Sequence, residues 1–166
     1  EHIVPDKTVQ LFELLHSVKD SLVVQANQKN MKIILRQDGC LNGLTPPLIF
    51  GNHDEITEVF VNLLENAVKY GFDNSEIILA IYNYGQGTVK IDVINEGEGV
   101  EEKHLPRLTE RFYRVDKARS RKIGGTGLGL AIVKHIINRH RGQLTITSAL
   151  GKTTKFSVDF PLVPGS

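Results

Sequence analysis

Asn62-Leu63-Leu64-Glu65-Asn66-Ala67-Val68-Lys69-Tyr70 lies in the most regular part of a chain of 166 residues. Around it Ile56, Val59, Phe60, Leu63, Leu64 and Ala67 recur at spacings of one, three and four. That period predicts an amphipathic helix over residues 54–70, with Asp54 a candidate N-cap and Gly71 as its stop. At about 100° per residue, Asn62, Asn66 and Lys69 fall on one narrow polar stripe. Amide oxygen is a hard ligand suited to Mg²⁺, and an ammonium is a compact phosphate partner, so the stripe suits a metal-bound triphosphate. The same residues suit the solvated side of an ordinary amphipathic helix, and spacing alone leaves both readings open.

Upstream, Thr8-Val9-Gln10-Leu11 reads as a short extended piece. Leu14, Leu15, Val18, Leu22 and Ala26 then continue as one helix to residue 28. Met31–Arg36 and Pro47–Phe50 read as strands. Downstream, Glu76–Tyr84 and Val89–Ile94 read as strands joined by a turn at Tyr84-Gly85-Gln86-Gly87. Leu128–Arg141 has a helical period, and Gln143–Thr147 and Lys155–Phe160 are the last two strands. Residues 96–126 carry Gly, charge and Pro106 but no long regular element, which marks a functional or mobile loop. The order is not a strict β-α alternation, so a mixed sheet covered by helices on one face is expected.

Composition narrows the classes. Lys and Arg total 20 and Asp and Glu 19, for a net charge of +1. That balance argues against a general nucleic-acid binder. No apolar run approaches the roughly 20 residues of a membrane span, and residues 1–5 lack a signal-peptide pattern. One cysteine, Cys40, excludes an internal disulfide and any multi-cysteine metal site.

Two glycine segments flank the irregular stretch. Asn95-Glu96-Gly97-Glu98-Gly99 follows a strand, and Gly124-Gly125-Thr126-Gly127-Leu128-Gly129-Leu130 opens a helix, where free N–H groups can bind phosphate. Neither is a P-loop, because Leu130-Ala131 stand where Lys-Ser/Thr is needed; neither carries a dinucleotide fingerprint. Each alone is also compatible with a plain turn. Between them residues 107–122 hold Arg107, Arg111, Arg114, Lys117, Arg119, Arg121 and Lys122 against Glu110 and Asp116. This loop suits a lid over an anionic ligand, or a solvated loop with no specific partner.

Taken together the segments resemble the catalytic, ATP-binding domain of bacterial sensor histidine kinases, in the superfamily that includes gyrase, Hsp90 and MutL. Asn62–Tyr70 matches the N box, Asn95–Gly99 the first G box, Glu110–Asp116 the F box, and Gly125–Leu130 the second G box, in family order. The resemblance implies an α+β two-layer sandwich, the Bergerat fold, with about three helices on one face of a mixed sheet and a mobile ATP lid over about residues 100–126. It implies ATP and Mg²⁺ as ligands: Asn66 as the metal ligand with Asn62 beside it, Lys69 on the phosphates, and Tyr70 lining the pocket. It places Asn95, Gly97, Gly99 and Thr154 at adenine. Gly125, Thr126, Gly127, Leu128 and Gly129 fall at the lid hinge, Tyr113 in the nucleotide site, and Arg114 on the γ-phosphate. Asn62, Lys69 and Arg114 would carry catalysis. Related ATPases have a glutamate where this chain has Asn62, so the missing carboxylate favours phosphoryl transfer over hydrolysis. Glu65 is the nearest alternative base.

There are two departures from the pattern. The first G box normally begins with Asp, whose carboxylate accepts from the adenine amino group, and here it begins with Asn95. This leaves open a degenerate binding or regulatory module. None of the six histidines stands in a phosphoacceptor pattern, and His53-Asp54-Glu55-Ile56-Thr57 leads into the N box instead. The expected partners are therefore a dimerisation and histidine-phosphotransfer hairpin upstream of residue 1, a homodimer through it, and a cognate response regulator. The resemblance further implies a cytoplasmic domain that meets a membrane only through other segments. His135 and His140 are five apart and share no helix face, which argues against a metal site.

Overall fold

The computed structural model describes residues 7–37, 46–83, 87–114 and 129–165. Its strands and helices follow in the order β1 (Thr8–Gln10), α1 (Leu11–Ser21), α2 (Val23–Gln28), β2 (Lys32–Gln37), β3 (Leu48–Phe50), α3 (His53–Tyr70), β4 (Glu76–Asn83), β5 (Thr88–Glu96), a 3₁₀ turn (Glu102–Arg107), α4 (Gly129–Arg139), β6 (Gln143–Ala149) and β7 (Thr153–Pro161).

Alternation of apolar and polar residues fixes which face of each strand is buried. Ile77, Leu79 and Ile81 of β4, Val89, Ile91 and Val93 of β5, and Phe156, Val158 and Phe160 of β7 turn to one side. There they join the core with Leu14, Leu15 and Val18 of α1, Phe60, Leu63 and Leu64 of α3, and Val133 and Ile137 of α4. The five-stranded mixed sheet runs β2-β4-β5-β7-β6; β2 pairs parallel with β4 and the other pairs are antiparallel. Among the described residues α1, α3 and α4 thus cover one face, with Ala26 of α2 joining the same core, the expected two-layer architecture. The opposite face carries one buried carboxylate, Asp92, satisfied by the hydroxyls of Tyr82 at 2.9 Å and Ser157 at 2.6 Å.

The structure corrects two expectations and adds two details. The helix expected through residue 28 breaks at Leu22, where φ is −103° and ψ is 1°. Its apolar period continues across the break, since Leu22 and Ala26 are both buried. The cap of α3 is Asn52, not Asp54: the Asn52 side chain accepts from the Glu55 N–H at 3.0 Å, and Asp54 stands inside the first turn. The loop after β5 contains the 3₁₀ turn, which accommodates Pro106. Finally, β1 and β3 form an antiparallel pair of their own, separate from the main sheet. The centre of the expected turn at residues 84–87 and the lid segment 115–128 lie outside the described residues.

Candidate nucleotide site

The site forms where the core rows of the sheet run out beneath the end of α3. On α3 the buried residues Ile56, Val59, Phe60, Leu63, Leu64, Ala67 and Val68 fix the helix's rotation. That rotation leaves Asn62, Asn66, Lys69 and Tyr70 half-buried along its flank. The Asn62 amide donates from Nδ2 to the Glu58 carbonyl at 2.9 Å, so its Oδ1 turns away from the helix. It turns toward the start of α4: a Cβ on Gly129 would lie 3.2 Å from that oxygen. The side chains of Asn66 and Lys69 make no hydrogen bond or ion pair among the described residues, so their donors and acceptors stay available.

Continuing the core-facing row of β5 past Val93 gives Asn95, and the matching row of β7 begins with Thr154. The two are direct cross-strand partners and are only 4% and 7% exposed. Two polar residues in positions that otherwise hold Val, Ile and Phe need polar partners. Thr154 has one in Ser148. The Ser148 hydroxyl donates to the Thr153 carbonyl at 2.9 Å and accepts from the Val100 N–H at 2.8 Å. It therefore accepts from the Thr154 hydroxyl, 3.0 Å away, which leaves the Thr154 oxygen as an acceptor. The Asn95 amide makes no hydrogen bond among the described residues.

Glycine is required beside this pair. A Cβ on Gly97 would stand 2.7 Å from the Tyr70 carbonyl oxygen and 3.0 Å from Asn95 Nδ2. Gly99 has φ +76°, and a Cβ there would meet the Ala149 carbonyl oxygen at 2.7 Å. The chain thus passes close over the Asn95 amide, as a close-fitting ligand site needs. This donor set fits a purine and a metal-bound phosphate chain: buried acceptors for an exocyclic amine, amide oxygens for a hard cation and an ammonium for anionic oxygens. Among the described residues, no group of three or more His, Cys, Asp and Glu side chains could hold a metal.

Tyr113 and Arg114 sit in a separate cluster. The Tyr113 hydroxyl hydrogen-bonds His104 Nδ1, and its ring lies beneath the Arg107 guanidinium, 4.3 Å from the centroid. Arg107 also pairs with Glu110 at 3.2 Å, and this hydrogen bond holds its pKa above the usual arginine range. Arg114 lines a recess of about 370 Å³ with Arg107, Glu110, Arg111, Phe112 and Tyr113. Among the described residues no hydrogen bond joins this cluster to the α3 stripe. Gly125, Thr126, Gly127 and Leu128, with Lys117, Arg119, Arg121 and Lys122, lie outside the described residues.

A family profile described as histidine kinase-, DNA gyrase B- and HSP90-like ATPase matches residues 51–164. The chain belongs to this family. It is 41% identical over 155 residues to the phosphate regulon sensor protein PhoR of Pseudomonas aeruginosa, covering 93% of this chain and 33% of PhoR. It is 35% identical to the Haemophilus influenzae PhoR, covering 94% of this chain and 36% of that protein. The resemblance to sensor histidine kinases agrees with these relatives. Among solved structures, full-length ShkA in complex with AMPPNP superposes with a TM-score of 0.82 at 24% identity, covering 98% of this chain and 32% of ShkA. The chain spans about a third of the length of its curated relatives.

Within this ATPase-family fold, Asn62, Asn66, Lys69, Tyr70 and Gly129 gather along α3, while Asn95, Gly97, Gly99 and Thr154 gather at the sheet end. Sequence reasoning missed Ser148. Its only signal was a hydroxyl residue on the strand opposite Thr154, visible once the register is known.

Proposed function

We propose that this domain binds Mg-ATP and donates the γ-phosphate to a histidine side chain on another segment of a two-component sensor kinase. The observation that carries the reading is the buried Asn95–Thr154 pair under the Gly97 backbone, set beside the amide and ammonium stripe of α3. When bound, Mg-ATP supplies the transferable phosphoryl group and the divalent charge that holds it. Asn95 Oδ1 and the Thr154 oxygen accept from the adenine amino group, and Gly97 admits the ring. Asn66 and Asn62 offer amide oxygens to the metal, and Lys69 offers its charge to the phosphates. Gly129, opening α4 beside Asn62, brings a helix start to the same place. Arg114, which lines the separate recess beside Tyr113, would have to approach to meet the γ-phosphate, the role the F-box resemblance implies. Asn62 has no carboxylate with which to activate water and its Nδ2 is committed to Glu58, so these residues favour transfer over hydrolysis.

The partners in this reading are the protein's own dimerisation and phosphoacceptor domain and a cognate response regulator, at the cytoplasmic side of a membrane. No described helix is long and apolar enough to cross one. A second reading, a degenerate nucleotide-binding or regulatory module, is favoured by the neutral amide at position 95. Calorimetric titration with ATP, with and without MgCl₂, tests both. Mg²⁺-dependent binding supports the donor domain; absence of binding that Asn95→Asp restores supports the module; and absence in both chains removes the nucleotide reading.

A further inference from the structure

The end of α3 is held in an unusual way. An α-helix leaves its last carbonyls without intrahelical partners, and a glycine in the left-handed region commonly provides the cap. Here Gly71 is extended, at φ −74° and ψ 156°, so no such cap forms. The carbonyls turn instead to one distant side chain. Lys29 Nζ donates to the Val68 oxygen at 2.6 Å, the Lys69 oxygen at 3.1 Å and the Gly71 oxygen at 2.7 Å. All three hydrogens of one ammonium are used on the backbone that carries Lys69 and Tyr70.

Lys29 is itself anchored. Its carbonyl accepts from the Asn74 N–H at 2.9 Å, the Asn30 amide donates to Asn74 Oδ1 at 2.7 Å, and the Lys32 N–H reaches the Ser75 oxygen at 3.2 Å. Asn30 and Asn74 both take positive φ, at 54° and 64°, a conformation asparagine tolerates. Residues 29–32 thus clamp residues 68–75. From the clamped end the connection runs on into the pocket: Gly71 bridges Gly97, and the Phe72 N–H reaches the Glu96 oxygen at 2.7 Å. Gly97 in turn packs against the Tyr70 carbonyl and the Asn95 amide.

We infer that Lys29 is a positioning residue for the nucleotide pocket, fixing the end of α3 against the Glu96–Gly97 strand so that Lys69, Tyr70 and Asn95 stand in register around one ligand. The inference rests on the nucleotide-binding reading above. It goes further by assigning a determinant of affinity to a residue outside every sequence motif.

The test compares the chain with Lys29→Met, which keeps the length of the side chain but removes its donors, and Lys29→Arg, which keeps charge and donors. Affinity for Mg-ATP is measured by calorimetry at a temperature where all three are folded, and amide exchange at Gly71 and Phe72 is followed without nucleotide. Lys29→Met is expected to bind about tenfold more weakly, the scale of one lost charge-assisted hydrogen bond. Its Gly71 and Phe72 amides are expected to exchange at least about tenfold faster. Lys29→Arg is expected to restore both. A Lys29 that served only overall stability would lower the melting temperature and leave the affinity of folded molecules unchanged. Met-variant affinity within about twofold of the natural chain therefore overturns the inference. If Lys29→Met does not fold, Lys29→Gln carries the same two readouts. If the natural chain binds no Mg-ATP, the proposed function fails, and the exchange arm alone decides whether Lys29 holds the helix end: unchanged protection overturns it.

Discussion

Asn95→Asp exchanges a neutral acceptor for a charged one at a position only 4% exposed. A hydrogen bond to a carboxylate exceeds one to an amide by about 1 kcal/mol, and low local polarity raises the difference, so Mg-ATP should bind roughly fivefold to tenfold more tightly. Without nucleotide the same carboxylate is buried. Its neighbour Thr154 already donates to Ser148, and burial raises the carboxyl pKa above its ordinary value. A raised folded-state pKa means that stability is lost as pH rises through the carboxylate range, so the free variant should be about 1–3 kcal/mol less stable at pH 7 than the natural chain, and closer to it in acid. Calorimetric titration at pH 7 gives the affinity, and urea unfolding at pH 7 and pH 4 gives the stability. Equal or weaker binding by a folded Asn95→Asp chain refutes the assignment of this side chain to the adenine amino group. Tighter binding with no stability loss refutes its burial in the free protein.

Gly97→Ala places a Cβ within 2.7 Å of the Tyr70 oxygen; a loss of about 1–3 kcal/mol in urea unfolding and at least about tenfold in nucleotide affinity is expected, and unchanged affinity refutes the close approach. His140 is 6% exposed, accepts from the Asn52 N–H at Nε2 over 3.1 Å and donates from Nδ1 to the Ile136 oxygen at 2.8 Å. His140→Leu should cost about 1–3 kcal/mol in the same assay. Asp159 has its pKa raised by burial, against the opposing pull of Lys90 and the Gln143 backbone. The native state therefore binds this proton more readily than the unfolded chain, and stability falls as pH rises through the carboxyl range. Asp159→Asn should gain stability at pH 7 and lose that gain near pH 3, measured by urea midpoints; a gain that grows in acid reverses the sign of the argument.

Legibility in the sequence followed the range of the interaction. The α3 stripe was visible because its apolar period and its three polar residues lie within one helix, where i, i+4 and i+7 share a face. The break at Leu22 was not, because neither Gly nor Pro marks it and the apolar residues keep their spacing. The cap of α3 was misplaced by two residues because Asn52 and Asp54 are both good caps, and only the hydrogen bond to the Glu55 N–H distinguishes them. Ser148 and Lys29 were invisible for another reason: each acts through partners fixed by strand register or by chain returning from about 40 residues away.

The site's physical logic lies in where the hydrophobic rows stop. Along β5 and β7 every core-facing residue from Val89 to Val93 and from Phe160 back to Phe156 is apolar, and then both rows end in a polar side chain, Asn95 and Thr154, on directly paired residues. A sheet end facing only water would expose such residues; a sealed core would replace them. Their burial beside Gly97, whose backbone packs against that of Tyr70, places two polar side chains at the margin of the core. Stability alone would favour a valine at position 95, in line with the apolar rows on either strand. In the proposed reading the amide there, under the bare backbone of Gly97, takes the ligand at the junction of α3 and β5, and that junction, more than the basic loop beyond it, is where substitutions should separate binding from folding.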